Sequence, residues 1–123
     1  MSMSKLHLEE AIQLASQEWQ DAFNDGDAIT CAEFYEDDAI MQAVPFGIYC
    51  GRDTIRIFWQ QLIDDGYREL NYLNTHIKVI NEQQAVLTAN WSMNKASGVI
   101  HKEMWILQQD GSVKLSEDHF EAL

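Results

Sequence analysis

Glu103 stands in "HKEMWIL", an acid inside a run that otherwise reads as a buried strand. A carboxyl that faces an apolar interior loses hydration, its pKa rises, and it becomes a usable general acid or base. Facing water, it would simply pair with a lysine such as Lys102 or Lys114. His119 lies in "EDHF", directly after Asp118 and two residues before Glu121. A histidine held by a carboxylate can serve as a base near neutral pH, whereas a strand histidine satisfied by one hydrogen bond does nothing further. His76 and His101 fall on nearby strands, but no HxxxH spacing or carboxylate cluster accompanies them, and no metal site is expected. Arg52 and Arg56, four apart on a helix, suit pairing with surface acids. The Glu36-Asp37-Asp38 cluster reads as a solvated helix end and turn. No Ser-His-Asp or Cys-His arrangement, phosphate loop or dinucleotide fingerprint is present, so no cofactor is expected.

Aromatic residues supply the other half of a site. Trp19, Trp59, Trp91 and Trp105, with Tyr35, Tyr49 and Phe58, can line a cavity in which a few polar groups orient a small apolar molecule. The same residues can equally fill a core.

The elements that must position these groups are legible from periodicity. Leu8, Ile12, Ala15, Trp19 and Phe23 recur at helical spacing. Gly26 stops that helix and Asp27 can cap a short second one, roughly residues 28–35. "AIMQAV" reads as a strand closed by Pro45 and Gly47. Ile55, Phe58, Trp59, Leu62 and Ile63 mark a third helix that opens with Asp53 in its first turn and ends at Gly66. From Glu69 onward the pattern becomes β: "ELNYLNTHIKVI", "AVLTANWSM", "VIHKEMWILQ" and "SVKLSEDHFEAL", with the Asp-Gly of "QDG" as a hairpin signal. Helices followed by an antiparallel meander predict an α+β fold, a curved antiparallel or mixed sheet forming a cone wrapped by three N-terminal helices. At 123 residues the chain reads as one domain, 1–123. Ile77, Val79, Val86, Trp91, Met93, Met104 and Ile106 do not all fit one face of the sheet, which predicts a homodimer through the sheet.

Charge and composition exclude several classes. The net charge is −12, and residues 6–51 hold ten Asp or Glu and no Lys or Arg. Such a surface repels phosphate, so nucleic acid and anionic membranes are not expected partners. No apolar run approaches a membrane span, and "MSMSKLHLEEAIQ" lacks the layout of a signal peptide, which points to the cytoplasm. Cys31 and Cys50 read as reduced, mostly buried thiols.

Three segments carry a resemblance: "WQDAFNDGDAITCAEFYEDDAI", "YCGRDTIRIFWQQLI" and "ILQQDGSVKLSEDHFEAL". Their order and spacing resemble the nuclear-transport-factor-2-like superfamily, in its SnoaL-like and ketosteroid-isomerase-like branch, with a cystatin-like roll. The resemblance covers nearly the whole chain. It implies that Trp19 occupies the place of the isomerases' phenol on helix one, and Tyr35 and Trp59 those of its supporting tyrosines. Ala43 falls on the general base, and Glu103 on the protonated acid, unless a β-bulge shifts that position to Met104. The SnoaL-like cyclases imply a base late in the chain, at Asp118 or Glu121. An alanine cannot move a proton, so steroid isomerisation is not expected. Three readings stay open: a protein binding a small apolar molecule in a pocket of Trp19, Tyr35, Ala43, Trp59, Trp91 and Trp105; an isomerase-, cyclase- or dehydratase-type enzyme on a small carbonyl or polyketide-like compound, using Glu103, His119 and Asp118; and a dimerisation module without ligand.

Overall fold

A computed structural model describes residues 5–123; the first four, part of the stretch read above for a leader, lie outside the described residues. Helix α1 runs Lys5–Asn24, α2 Ala28–Glu33 and α3 Arg52–Asp64. The strands are β1 Tyr35–Val44, β2 Gly47–Cys50, β3 Asn71–Val79, β4 Gln84–Ser92, β5 Ser97–Leu107 and β6 Val113–Ala122. One α1 face buries Leu8, Ile12, Ala15, Trp19 and Phe23, the stripe its spacing predicts. Gly26, at φ 78°, turns the chain out of α1. Asp27 then caps α2, accepting from the Thr30 N–H at 3.0 Å and the Thr30 hydroxyl at 2.7 Å.

All six strands join one sheet in the order β2-β1-β6-β5-β4-β3. β1 lies parallel to β6 and every other pair is antiparallel, so the sheet is mixed. β1 and β2 form a hairpin about a cis Val44–Pro45 peptide, a pairing that the sequence reading did not separate from its first strand. The helices cover one sheet face, with α1 against β3 and β6 and α3 against β1 and β2. Between them lies a core of Tyr35, Met41, Ala43, Ile55, Leu87, Trp105 and Leu115. The result is the expected α+β cone. Among the described residues no helix is long and apolar enough to cross a membrane.

One composition-based expectation fails. Cys31 is fully buried, and burial, then the charge of Asp27, pushes its thiol up to about 12, but Cys50 is exposed. Cys50 is the last residue of the short strand β2, at the edge of the sheet.

Candidate active site

Two irregularities in the β5/β6 ladder decide which acids face the core. Along β5, Gly98 and Ile100 are buried, then Glu103 and Trp105. The even-to-odd switch occurs at a bulge between Ile100 and Lys102. Along β6, Val113 and Leu115 are buried, then Asp118 and Phe120. Here the switch falls between Leu115 and Glu117, opposite Trp105 and Met104. A bulge adds one residue to one strand and thereby turns everything beyond it to the other face. Both carboxyls are delivered inward this way, Glu103 directly opposite Asp118. Opposed Cβ atoms in such a ladder stand about 5 Å apart.

Glu103 is 3% exposed and Asp118 4%. Each is held by one tyrosine and served by one indole. Tyr35 donates its hydroxyl to Asp118 Oδ2 at 2.6 Å, and Trp59 Nε1 donates to the Tyr35 oxygen at 3.3 Å. Tyr72 O–H lies 2.8 Å from Glu103 Oε2, and Trp105 Nε1 donates to Oε1 at 3.0 Å. Arg52 fixes this assembly from behind. Its Nε and Nη2 donate to the Tyr35 carbonyl at 2.9 and 2.6 Å, while Nη1 pairs with Asp37 at 2.7 Å.

The electrostatics follow from burial. Loss of hydration, then the charge of Asp118, pushes Glu103 up to about 8; the hydrogen bonds from Tyr72 and Trp105 act the other way. Burial pushes Asp118 up to about 6, opposed by the Tyr35 hydrogen bond. Both tyrosines are raised well above 10, by burial first and then by the charge of the carboxyl each one touches. Burial favours the protonated form of both carboxyls, and an ionised Asp118 favours it further at Glu103, so the pair resists losing both protons near neutral pH. Two acids pushed apart in this way supply a proton donor and a proton acceptor side by side.

Over the pair lies a partly open cavity of about 60 Å³. Its walls include Trp19, Trp59, Tyr67, Tyr72, Trp91 and Phe120, with Glu103 and Asp118 as its acids. Phe46, 54% exposed, belongs to its rim. The aromatics pack in a row: Trp19 edge-on to Trp59 at 4.9 Å, Trp59 stacked on Phe120 at 5.5 Å, Phe120 edge-on to Trp91 at 6.2 Å. They fill much of the cone. It is smaller than a cavity of about 150 Å³ that takes up benzene whole, so an occupant is compact and extends through the open side.

The sequence-derived residues divide cleanly. Glu103 and Asp118 meet on the cavity floor, and Trp19, Trp59 and Trp91 line it. Tyr35 and Trp105 stand one step behind, each bonded to a carboxyl. Ala43 is buried on β1 beside Phe120, without a place in the lining. His119 is not brought to the site. It alternates with Asp118 and Phe120, so it lies on the outer sheet face, its ring 5.0 Å from that of His101, which contacts Glu121 at 2.9 Å. The partner proposed for it, Asp118, is turned to the opposite side. His76 is exposed, and no group of three or more metal-ligating side chains occurs among the described residues. Tyr72 was missed. It sits in a strand whose register slips between Leu73 and His76, with Asn74 at φ 55°, and nothing local in the sequence marks its hydroxyl as inward.

An α+β cone whose curved sheet carries an acid pair under an aromatic cavity defines a class of fold and site together. Residues 16–109 match the model of the SnoaL-like domain, and the chain belongs to that family, within the nuclear-transport-factor-2-like superfamily. No curated protein matches the sequence. Solved structures share the fold at low identity. A Nostoc punctiforme protein of unknown function with a cystatin-like fold superposes with TM-score 0.82 at 16% identity, covering 100% of this chain and 96% of its own. A ketosteroid isomerase-like protein from Erwinia carotovora atroseptica gives 0.79 at 13%, covering 93% and 95%. An uncharacterized protein with a cystatin-like fold from Caulobacter vibrioides gives 0.81 at 15%, covering 94% and 89%.

Proposed function

We propose that residues 1–123 act as one SnoaL-like domain that binds a compact, largely apolar carbonyl compound and moves a proton on it. The observation that carries this reading is the inward acid pair, Glu103 opposite Asp118, both pushed up by burial. Asp118 Oδ2 is occupied by Tyr35, which leaves Oδ1 to take a proton from the carbon beside a carbonyl. As that C–H bond breaks, its electron pair moves into the carbonyl oxygen and an enolate forms. Neutral Glu103 supplies the complementary donor. Trp105 donates to Oε1 and the Tyr72 hydroxyl to Oε2, and together they hold the carboxyl at the cavity, where its own proton passes to the carbonyl oxygen. Return of the proton to a different atom gives isomerisation; departure of a β-hydroxyl as water, carrying off the proton that Asp118 took, as the enolate pair forms the C=C bond gives dehydration.

This base lies on β6. The place expected from the isomerases, Ala43, carries none, and steroid isomerisation is not part of the proposal. A domain retained only for dimer contacts has no use for two buried acids, each of which costs stability. We propose the homodimer separately, through the outer sheet face, where half-buried Val86, Val99, Met104 and Ile106 interrupt the polar residues. The cytoplasm remains the proposed location.

The test is deuterium exchange in D2O, read by mass spectrometry, with cyclopentanone as the carbon acid. The expected result is enzyme-dependent exchange with a bell-shaped pH profile. It rises as Asp118 ionises near 6 and falls as Glu103 ionises near 8. Asp118→Asn and Glu103→Gln each lower the rate about 100-fold or more. Exchange no faster than in the double variant would refute proton transfer and leave a binding protein.

A further inference from the structure

The four indoles of this chain are not equivalent. Trp59 and Trp105 spend their N–H groups on the Tyr35–Asp118 and Glu103 network. Trp19 and Trp91, 5% and 6% exposed, bury their Nε1 atoms with no acceptor among the described residues. Both rings line the cavity. A buried donor left unpaired costs about 1–3 kcal/mol, so folded proteins nearly always satisfy such groups or use them.

The Trp91 ring is also held in place. A Cβ at residue 98 would come within 2.7 Å of Trp91 Cε2 and Cζ2, and would strike the Glu121 carbonyl. Glycine at 98 is what lets the indole seat against β5, while Phe120 meets it edge-on from β6. Cε2 is bonded to Nε1, so the contact fixes the half of the ring that carries the donor. Trp19 is clamped in turn between Phe23, stacked at 5.8 Å, and Trp59. Neither ring is free to swing its N–H to water.

We propose that Trp19 and Trp91 are the specificity-determining residues of the cavity, each recognising a hydrogen-bond acceptor on the ligand with its indole N–H. This deepens the reading above by fixing the ligand class: a neutral compound bearing carbonyl-type oxygen. An anion finds no lysine, arginine or histidine in the lining and meets the charge of Asp118. An ammonium ion is attracted by the acids and aromatic faces, but leaves both indole donors unmatched and points its own donors at them. Only an acceptor on an uncharged body satisfies walls and floor together. The two indoles lie at opposite ends of the row Trp19–Trp59–Phe120–Trp91, so each addresses its own acceptor, and one oxygen does not serve both by default.

The test compares isosteres on the full chain. Cyclopentanone and methylenecyclopentane have the same shape, but only the ketone accepts a hydrogen bond. Each is titrated into 15N-labelled protein while the four indole N–H resonances are followed, assigned by single Trp→Phe variants. The proposal expects the ketone to bind about 5-fold or more tightly than the alkene and to move the Trp91 or Trp19 resonance downfield, with Trp105 little affected. Trp91→Phe or Trp19→Phe, whichever indole moves, abolishes the preference. Cyclopentylammonium and cyclopentanecarboxylate bind more weakly than the ketone. The wild-type resonances carry the test even if a variant does not fold. Equal binding of ketone and alkene, unmoved Trp19 and Trp91 signals, tighter binding of the ammonium, or no binding by the ketone would overturn it. Its failure is separable from that of the catalytic reading. A ketone that binds through the indoles without exchanging protons refutes only the chemistry; exchange with unmoved indoles refutes only the recognition.

Discussion

Replacing Glu103 by glutamine should make the protein more stable, and increasingly so as the pH rises. Glutamine has the shape of the protonated acid and can keep both hydrogen bonds, accepting from Trp105 and engaging the Tyr72 hydroxyl. In the wild type the folded-state pKa of Glu103 is raised from 4.5 to about 8. The folded protein therefore holds this proton more tightly than the unfolded chain does. The stabilisation that the proton brings is fully present below pH 4.5 and is lost as the pH climbs through 8. At about 1.4 kcal/mol per pKa unit the full rise corresponds to roughly 5 kcal/mol. Relaxation around the charge lowers this, and about 2–4 kcal/mol is the expected gain of Glu103→Gln over wild type at pH 9 relative to the same comparison at pH 4. Urea denaturation of both proteins across that range measures it. The −12 net charge also weakens the fold at high pH, but it contributes nearly equally to both proteins and drops out of the difference. Stability curves that run parallel within about 0.5 kcal/mol would refute the claim that Glu103 is buried and protonated at neutral pH.

Two further substitutions probe the supports of the site. Tyr35→Phe removes the hydrogen bond that holds Asp118 down, so the Asp118 pKa should rise above about 6 and the acid limb of the exchange profile should move to higher pH; an unmoved limb would show that Tyr35 does not tune this carboxyl. Gly98→Ala should cost about 2–3 kcal/mol by urea denaturation, because its methyl group collides with the Trp91 ring and with backbone at Glu121, and a loss under about 0.5 kcal/mol would contradict the packing described.

Much of the fold was legible because local signals agreed with it. The stripes on α1 and α3, Gly26, Asp27, Gly66 and the Asp-Gly hairpin each announce one structural choice. The placement of β1 between β2 and β6 was not legible, because a parallel pairing between the start and end of the chain leaves no mark in either segment. The site was half legible for a sharper reason. Simple alternation from Leu115 would turn Glu117 inward; the bulge between them turns Asp118 inward instead. Asp118 and His119 are neighbours, so the sheet can offer only one of them to the cavity, and that choice hangs on a bulge that no Gly or Pro announces. Glu103 was found because it is an acid in an otherwise core-like run, and Trp105, two residues on, lies on the same side of the β5 bulge and faces the same way. Tyr72 lay beyond reach, since its inward hydroxyl depends on the slip in β3.

The central claim is that Glu103 and Asp118 share a buried site in which one is protonated and the other ionised at neutral pH. A 13C NMR titration of labelled Asp and Glu side-chain carboxyls tests it most directly, with Glu103→Gln and Asp118→Asn assigning the two signals. The account predicts two carboxyls titrating far above the rest, Asp118 near 6 and Glu103 near 8. Both carboxyls titrating below about 5, with the ordinary surface acids, would contradict it.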